Sequence, residues 1–439
     1  MIGVPDIRVV VDDFRAINHA EIIVNGITVV AGENGSGKSS ISKLLYFLYR
    51  TVAGYDAIVK RALLNDLRDV SQLLDIMFQE YKISDNLEVR DFPRRYSHTL
   101  RKSLMESEFI DDELTKWLNA ISIVQESHVS NMNSDDKKII YLKQNRINRI
   151  LNDVLKPKEN DLEMSESFSN LKSLVINLFD EAQKTINSRP TSLFIEELKE
   201  IFSEQDLPET FDVLEYGSPI ISLNNDHLAI PYSIQNAIYI DSPMMFYAEG
   251  SDNQHWNDLI ELLQQSGNEN NSITDLIGSE IIQGHVDASD DTIFSTEDFK
   301  FRRNDGEIFN LLDVATGIKS FSILQLLLKN GVINDKTLMI IDEPESHLHP
   351  QWVIEYARVI VLMNKFIGVK FFLATHNPDM VSAIRYISEK EGTLEKVNYY
   401  LAEKASNKFK YNYKFLEKEI DPIFASFNIA LERINQYGV

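Results

Sequence analysis

The sequence predicts an α/β fold: a mostly parallel core sheet with added antiparallel strands, interrupted by a large all-α insertion. Three observations predict it. Thr337-Leu338-Met339-Ile340-Ile341 is a continuous apolar run of the kind buried on both faces in a parallel sheet. A helical pattern from Gln351 to about Lys365 separates it from a second such run, Phe371 to Thr375, which makes strand, helix, strand. From about 55 to 208 glycine disappears, and charged residues interleave with Leu, Ile and Phe at helical spacing.

In chain order, a short strand is expected at Ile7 to Val11, and a buried strand at Ile27 to Val30 entered through an Asn25-Gly26 hairpin turn. Ile41, Leu44, Leu45 and Leu48 then fall at i, i+3, i+4 and i+7, an amphipathic helix. Residues 1–54 and 209–439 thus read as two parts of one α/β unit, and 55–208 as a helical insertion. Pro93, the polar run 131–136, Pro157 and Pro190 break that insertion into several helices and interrupt any sustained heptad. Strand signals return at Thr210 to Tyr216, Ile220 to Leu223, Leu228 to Tyr232 and Ala237 to Ile240. A hairpin over Thr292 to Phe309 turns at Asn304-Asp305-Gly306, and an apolar helix runs from Thr316 to about Lys329, closed by Gly331. After His376 the chain reads as strand, strand and a closing helix from Ile423 to Ile434.

The totals bound the function. A chain of 439 residues, 44% hydrophobic and 25% charged, has an ordinary globular composition with room for two or three domains. No apolar run is long enough to span a bilayer and the N-terminus lacks a signal-peptide pattern, so a cytoplasmic location without membrane contact is expected. With no cysteine, disulfides, thiolate zinc sites and iron–sulfur clusters are excluded. A formal net charge of −23 argues against a surface that is basic throughout and leaves only a local patch for any nucleic acid.

The stretch Gly32-Glu33-Asn34-Gly35-Ser36-Gly37-Lys38-Ser39 matches G-x-x-x-x-G-K-[ST] between a strand and a helix. Glycines let backbone N–H groups turn toward β- and γ-phosphates, and the helix N-terminus adds its positive end. Lys38 supplies a point charge and the Ser39 hydroxyl a ligand for Mg²⁺, with Ser40 next in the helix. The expected nucleotide contacts are Gly32, Asn34, Gly35, Ser36, Gly37, Lys38, Ser39 and Ser40, with ATP and Mg²⁺ as the bound species. Asp342-Glu343-Pro344-Glu345 ends the apolar strand at its carboxyl end, where such sheets bind ligands. Asp342 is expected to hold Mg²⁺ and Glu343 to polarise the attacking water. His376 ends the next strand, where it could touch the γ-phosphate. His347-x-His349 lacks a third ligand nearby and does not by itself make a zinc site.

Together the phosphate loop, D-E-P-E-S-H-L-H-P over 342–350 and A-T-H-N-P over 374–378 resemble the ABC-class ATPases, which include the SMC proteins and RecF. More closely they resemble the bacterial AAA15/AAA21-type branch, with the overcoming-lysogenization-defect (OLD) nucleases and the ATPase subunits of Septu and PARIS anti-phage systems. The phrase around Asp13-Phe14-Arg15 is similar to that branch as well. The motifs cover about 1–50 and 295–385 only.

The resemblance implies an ABC-type ATPase head, with Glu343 and His376 catalytic, Asp342 the Walker B carboxylate and His376 the switch histidine. It implies that Ala315-Thr316-Gly317-Ile318-Lys319-Ser320 stands where the ABC signature does, so that Thr316, Gly317 and Lys319 contact the nucleotide of a partner subunit. This stretch departs from the common L-S-G-G form. No glutamine loop is evident: Gln125 lies in the insertion, and Ile240 is followed by Asp241. The OLD nucleases continue into a Toprim domain, whereas about sixty residues follow His376 here, so a nuclease is expected to act in trans. The implied assembly is a homo-oligomer, at least a dimer, that senses a phage component and controls a separate effector in anti-phage defence. The alternatives are a RecF-like DNA-repair clamp and a nucleotide-gated scaffold with little turnover.

The run Lys408-Phe409-Lys410-Tyr411-Asn412-Tyr413-Lys414-Phe415 alternates basic and aromatic residues, as an edge strand protected by lysines or as a nucleic-acid contact. Arg94-Arg95 and Arg302-Arg303 read as solvated charge.

Overall fold

The computed structural model describes residues 7–80, 96–107, 109–132, 164–202, 207–241, 254–265, 267, 271–288, 299–406 and 409–425. Arg94, Arg95, Lys408 and the helical run 146–155 lie outside them, and the expected closing helix is described only to 425. Two compact units emerge, one formed by Met1–Ala53 with Thr191–Val439 and the other by Gly54–Pro190.

The first unit opens with β1 (Ile7–Phe14), β2 (Ile17–Ile23) and β3 (Ile27–Ala31), followed by α1 (Lys38–Ala53). The second unit holds α2 (Tyr55–Asp66), α3 (Arg68–Glu80), α4 (Tyr96–Glu106), α5 (Ile110–Met132) and α6 (Met164–Ser188). The chain then returns to the first unit with α7 (Thr191–Phe202), β4 (Thr210–Glu215), β5 (Ser218–Ser222) and β6 (Asn236–Ile240). Next come α8 (Gln254–Leu263), α9 (Ser272–Leu276), β7 (Gly284–Ala288), β8 (Phe299–Arg303) and β9 (Ile308–Asn310). Last are α10 (Thr316–Lys329), β10 (Thr337–Asp342), α11 (Pro350–Phe366), β11 (Lys370–Thr375), α12 (Pro378–Lys390), β12 (Val397–Lys404) and β13 (Tyr411–Phe415).

The main sheet has ten strands in the order β5-β4-β1-β2-β13-β12-β3-β11-β10-β6. The half that carries the motifs, β12-β3-β11-β10-β6, is parallel throughout. An antiparallel arm, β2-β1-β4-β5, extends it. The fold is therefore α/β with a mostly parallel core, and β7-β8-β9 form a separate antiparallel sheet. Every residue of β3 and β10 is buried, as a strand covered on both faces requires. Alternate residues serve the two faces: Val29, Met339, Ile341, Phe371 and Leu373 join the large apolar core with α8, α10, α11 and α12. Helix α1 lies on the other face, against β6, β10 and β11. This sandwich brings the carboxyl ends of β3, β10 and β11 to one rim.

Four expectations are corrected. Asn25-Gly26 does not make a hairpin: β2 and β3 are separated by β13 and β12, and Asn25 instead accepts the Ile7 N–H and offers its carbonyl to Asn398. The hairpin is one step earlier, where β1 runs to Phe14 and turns directly into β2. The sequence reading carries the insertion to 208, yet α7 belongs to the first unit: Phe202 meets Phe14 and Phe47, and Phe194 meets Phe211. Residues 228–232 form no strand, leaving Ile230 and Tyr232 exposed, and a helix, α12, comes first after His376. Its start is signalled locally, with Asn377 accepting from the N–H groups of Asp379 and Met380 and Pro378 at the first turn.

The second unit is a helical assembly with its own core, in which Leu63, Leu73, Met77, Leu104, Trp117, Ile121, Phe168 and Phe179 are buried. Arg189 stacks on the Tyr55 ring at 4.6 Å, and Tyr55 donates to the Pro190 carbonyl. Gln125 is committed within this unit, accepting from Lys172 at 3.0 Å.

Candidate functional site

The phosphate loop connects β3 to α1, and its shape depends on glycine at 37, where φ is +93° and an added Cβ would come within 2.8 Å of Ile17. Lys38 is buried, and its ammonium donates to the carbonyls of Gly32 at 2.8 Å and Glu33 at 2.9 Å. Burial pulls the lysine pKa down, while Asp342, Glu343, Glu345 and Glu33 push it back up. Ser36 is fully buried, and its hydroxyl has no hydrogen-bond partner among the described residues. Asn34, Gly35 and Ser39 are exposed on the same loop, with Ser40 half-buried, and Lys404 pairs with Glu33 at 2.9 Å.

The carboxylate at the end of β10 ties this loop to the sheet. Asp342 accepts from the hydroxyl of Ser42 at 2.8 Å and from that of Tyr239 at 3.0 Å, and the Ser39 hydroxyl lies near enough to favour its charged form. Ser42 and Asp342, 300 positions apart in sequence, are thus joined directly. Burial holds the Asp342 carboxyl above the usual carboxylate range, with Asp241 adding to the rise, although the three hydroxyls pull it partly back. A carboxyl whose pKa is raised by folding destabilises the fold near neutral pH. That cost fades as pH falls through the raised value, where the folded state takes up the proton first. Asp342→Asn is therefore expected to raise the melting temperature of the nucleotide-free protein near neutral pH, with the gain shrinking in acidic buffer. An unchanged or lower melting temperature near neutral pH would contradict a net cost for this buried charge.

Residues 343–347 form a tight turn that carries two acids. Glu343 has φ +50° and His347 φ +63°, left-handed conformations that cost about 1–3 kcal/mol each and concentrate at functional loops. The turn is held by the Glu343 N–H on the Ala374 carbonyl at 2.8 Å and by Ser346, whose hydroxyl donates to Glu343 at 3.1 Å. Glu345 is buried and accepts from the Thr375 hydroxyl at 2.8 Å and the His376 N–H at 3.1 Å. His376 Nδ1 stands 3.4 Å from carboxylate oxygens of both Glu343 and Glu345. His349 serves as N-cap of α11, its Nδ1 facing the Gln351 N–H at 3.4 Å.

Lys38, Ser39, Asp342, Glu343 and His376 are thus brought to one rim of the sheet. Lys319 is buried on α10, and Gly317, at the start of that helix, is buried against Trp352 and against Leu348 of the loop that follows β10. A Cβ there would stand 2.5 Å from the indole, so Gly317→Ala is expected to destabilise the protein by about 1–3 kcal/mol, read as a lower melting temperature. A melt unaltered by that change would show that the indole moves freely.

Sequence reasoning missed Ser42, Tyr239, Glu345 and Tyr413. Ser42 was legible as one helical turn beyond Lys38. Tyr239 and Tyr413 carried no signal, because only the sheet order places them. Strand β13 is interior, between β12 and β2, and not an edge. Tyr413 is buried beneath the phosphate loop and donates to the Ser36 carbonyl at 3.0 Å. The described lysines of that strand region are paired with acids, Lys410 with Asp13 and Lys414 with Glu403. Arg303 is likewise engaged by Asp305 in its own turn.

A sequence profile described as "AAA domain, putative AbiEii toxin, Type IV TA system" (AAA_21) matches residues 27–382. Among solved structures, the chain is similar to an SMC head domain from Thermotoga maritima, at 11% identity and a TM-score of 0.35, covering 93% of this chain and 98% of that one. It is similar to an SmcHead bound to the C-winged helix domain of ScpA, at 9% identity and a TM-score of 0.36, covering 94% and 98%. It is also similar to cbiO1 from Clostridium perfringens, part of the ABC transporter complex cbiONQ, at 13% identity and a TM-score of 0.25, covering 55% and 81%. No curated protein matches.

Proposed function

This chain belongs to the AAA_21 family, and on that premise we propose that it binds and hydrolyses ATP as an ABC-class head working in an oligomer. The observation that carries the reading is the convergence of Ser39, Ser42 and Tyr239 on Asp342 at the mouth of the phosphate loop. A buried carboxylate fed by hydroxyls, with further acids beside it, is a hard-oxygen environment suited to Mg²⁺. Ser39 and Asp342 would hold that ion, which when bound neutralises charge on the β- and γ-phosphates. The buried, unpartnered Ser36 hydroxyl and the Lys38 ammonium are donors for phosphate oxygens.

The roles of this chain's residues rest on the sequence resemblance, with support from the geometry. Gly32, Asn34, Gly35, Gly37 and Ser40 shape the loop and present backbone N–H groups to phosphate. Glu343, half-exposed and steadied by Ser346, is the base that orients the attacking water. His376, with its backbone pinned by Glu345, senses the γ-phosphate. The resemblance assigns Thr316, Gly317 and Lys319, at the start of α10, to the nucleotide of a second subunit; Gly317 and Lys319 are buried in the single chain, so of the three Thr316 is the more accessible. The finer role rests on the sequence resemblance: ATP-driven closure of the oligomer reports a phage component to a separate effector such as a nuclease, in anti-phage defence. The helical unit is the platform for that partner. With Lys410 and Lys414 paired to acids, the DNA-clamp alternative loses its main basic strand.

Steady-state ATP turnover with and without linear duplex DNA tests the reading. Slow, Mg²⁺-dependent turnover indifferent to DNA is expected. Strong stimulation by DNA would replace the switch with a repair-type clamp, and absence of turnover under all conditions would leave a nucleotide-gated scaffold.

A further inference from the structure

The helical unit contains a cavity of about 740 Å³ bounded by α2, α3 and α4. Its charge is opposite in sign to that of the chain, whose formal net charge is −23. Arg68 on α3 and His98, Arg101 and Lys102 on α4 line it, against one acid, Asp75. Lys102 is paired with Glu106 at 3.6 Å, but both side chains are two-thirds exposed, so this pair contributes little that an incoming anion must overcome. Leu64 and Met105 supply an apolar wall. Ser71 also lines the cavity; it is 3% exposed, and its hydroxyl has no hydrogen-bond partner among the described residues. A buried hydroxyl left unpaired is costly, and a ligand oxygen that reaches it recovers the bond.

We propose that this cavity is a second ligand site, which takes a small organic phosphate of mononucleotide size. Its volume falls within the roughly 300–1,000 Å³ of small-molecule sites. Two arginines provide planar forks that match phosphate oxygens, the Ser71 hydroxyl provides a buried donor, and the apolar wall provides a surface for the organic part. The cavity opens to solvent, but its cations, Arg68, His98, Arg101 and Lys102, gather at one place and not along a track, which suits one small molecule, whereas a nucleic-acid strand requires a groove that tracks its backbone. The site is independent of the phosphate loop and gives the helical unit a way to respond to a metabolite or signal.

The test uses the full-length chain carrying Lys38→Ala, so that the phosphate loop is disabled, titrated by calorimetry with AMP and with inorganic pyrophosphate. AMP is expected to bind saturably, with a Kd below about 1 mM, about tenfold more tightly than pyrophosphate, and more weakly as salt is added. Arg68→Gln with Arg101→Gln is expected to weaken AMP by about tenfold or more, and Ser71→Ala by about threefold. The Arg68→Lys, Arg101→Lys protein, with a thermal melt like that of its parent, is expected to bind AMP more weakly than the parent but more tightly than the glutamine variant, because the charge is kept and the planar forks are lost. No saturable AMP binding, or binding indifferent to these substitutions, overturns the proposal. Pyrophosphate binding as tightly as AMP overturns its organic half. Tighter binding of a short single-stranded DNA that displaces AMP overturns the small-ligand assignment.

Discussion

Replacing Lys38 by alanine is expected to weaken ATP binding by roughly 10²–10³-fold and to remove measurable turnover. The lysine is buried near Asp342, Glu343, Glu345 and Glu33, and of these four carboxylates only Glu33 is also paired with another lysine, Lys404, among the described residues. Without it, the γ-phosphate would approach a cluster of negative charge with one fewer cation to offset it. The carbonyls of Gly32 and Glu33 would also lose their donor, so the loop itself loosens. Calorimetric titration with ATP and a phosphate-release assay measure both effects. Binding that survives within about threefold would show that the triphosphate is held elsewhere and would sink the phosphate-loop assignment.

Glu343→Gln is the second large effect, and its signature is a split between binding and turnover. The amide keeps the side chain's size and can still meet Ser346 Oγ and face His376, so the turn after β10 keeps its form. What it loses is the ability to accept a proton from water. Turnover is expected to fall about 10²–10⁴-fold, the usual worth of a positioned general base, while ATP affinity stays the same or rises. ATP-bound oligomers, followed by light scattering in solution, are expected to persist. Turnover within about threefold of the parent would move the catalytic role to another residue, and Glu345, His376 and Asp241 are the groups nearby to examine.

Much of this site was legible because its motifs are local in the chain. A glycine loop between a buried strand and an amphipathic helix declares itself through spacing, and so does an apolar strand ending in two acids. The strand edges of β10 and β11 and the helix Thr316–Lys329 follow from runs of apolar residues that need no knowledge of partners. The errors arose where neighbours in space are distant in sequence. Asn25-Gly26 has the composition of a hairpin turn, but pairing of β3 with β12 and β11, more distant in sequence, overrides local turn chemistry. Alternating lysine and tyrosine in β13 has the pattern of a protected edge, yet two flanking strands and acidic partners bury one face and neutralise the other.

Legible in the sequence alone were the α/β class, the glycine loop at 32–39 between strand and helix, the acidic turn at 342–345 and the presence of a helical insertion. These depend on residue type and short-range spacing, which set backbone freedom, periodicity and charge before any long-range contact forms. Only the tertiary structure decided that Ser42 and Tyr239 share the Asp342 carboxylate, that Tyr413 supports the loop from below, and that Glu345 holds the His376 backbone. It alone also gathered Arg68, Ser71 and Arg101 around one cavity. Hydrogen bonds act over about 3 Å, and which side chains come within that distance is set by strand order and helix packing, not by position along the chain.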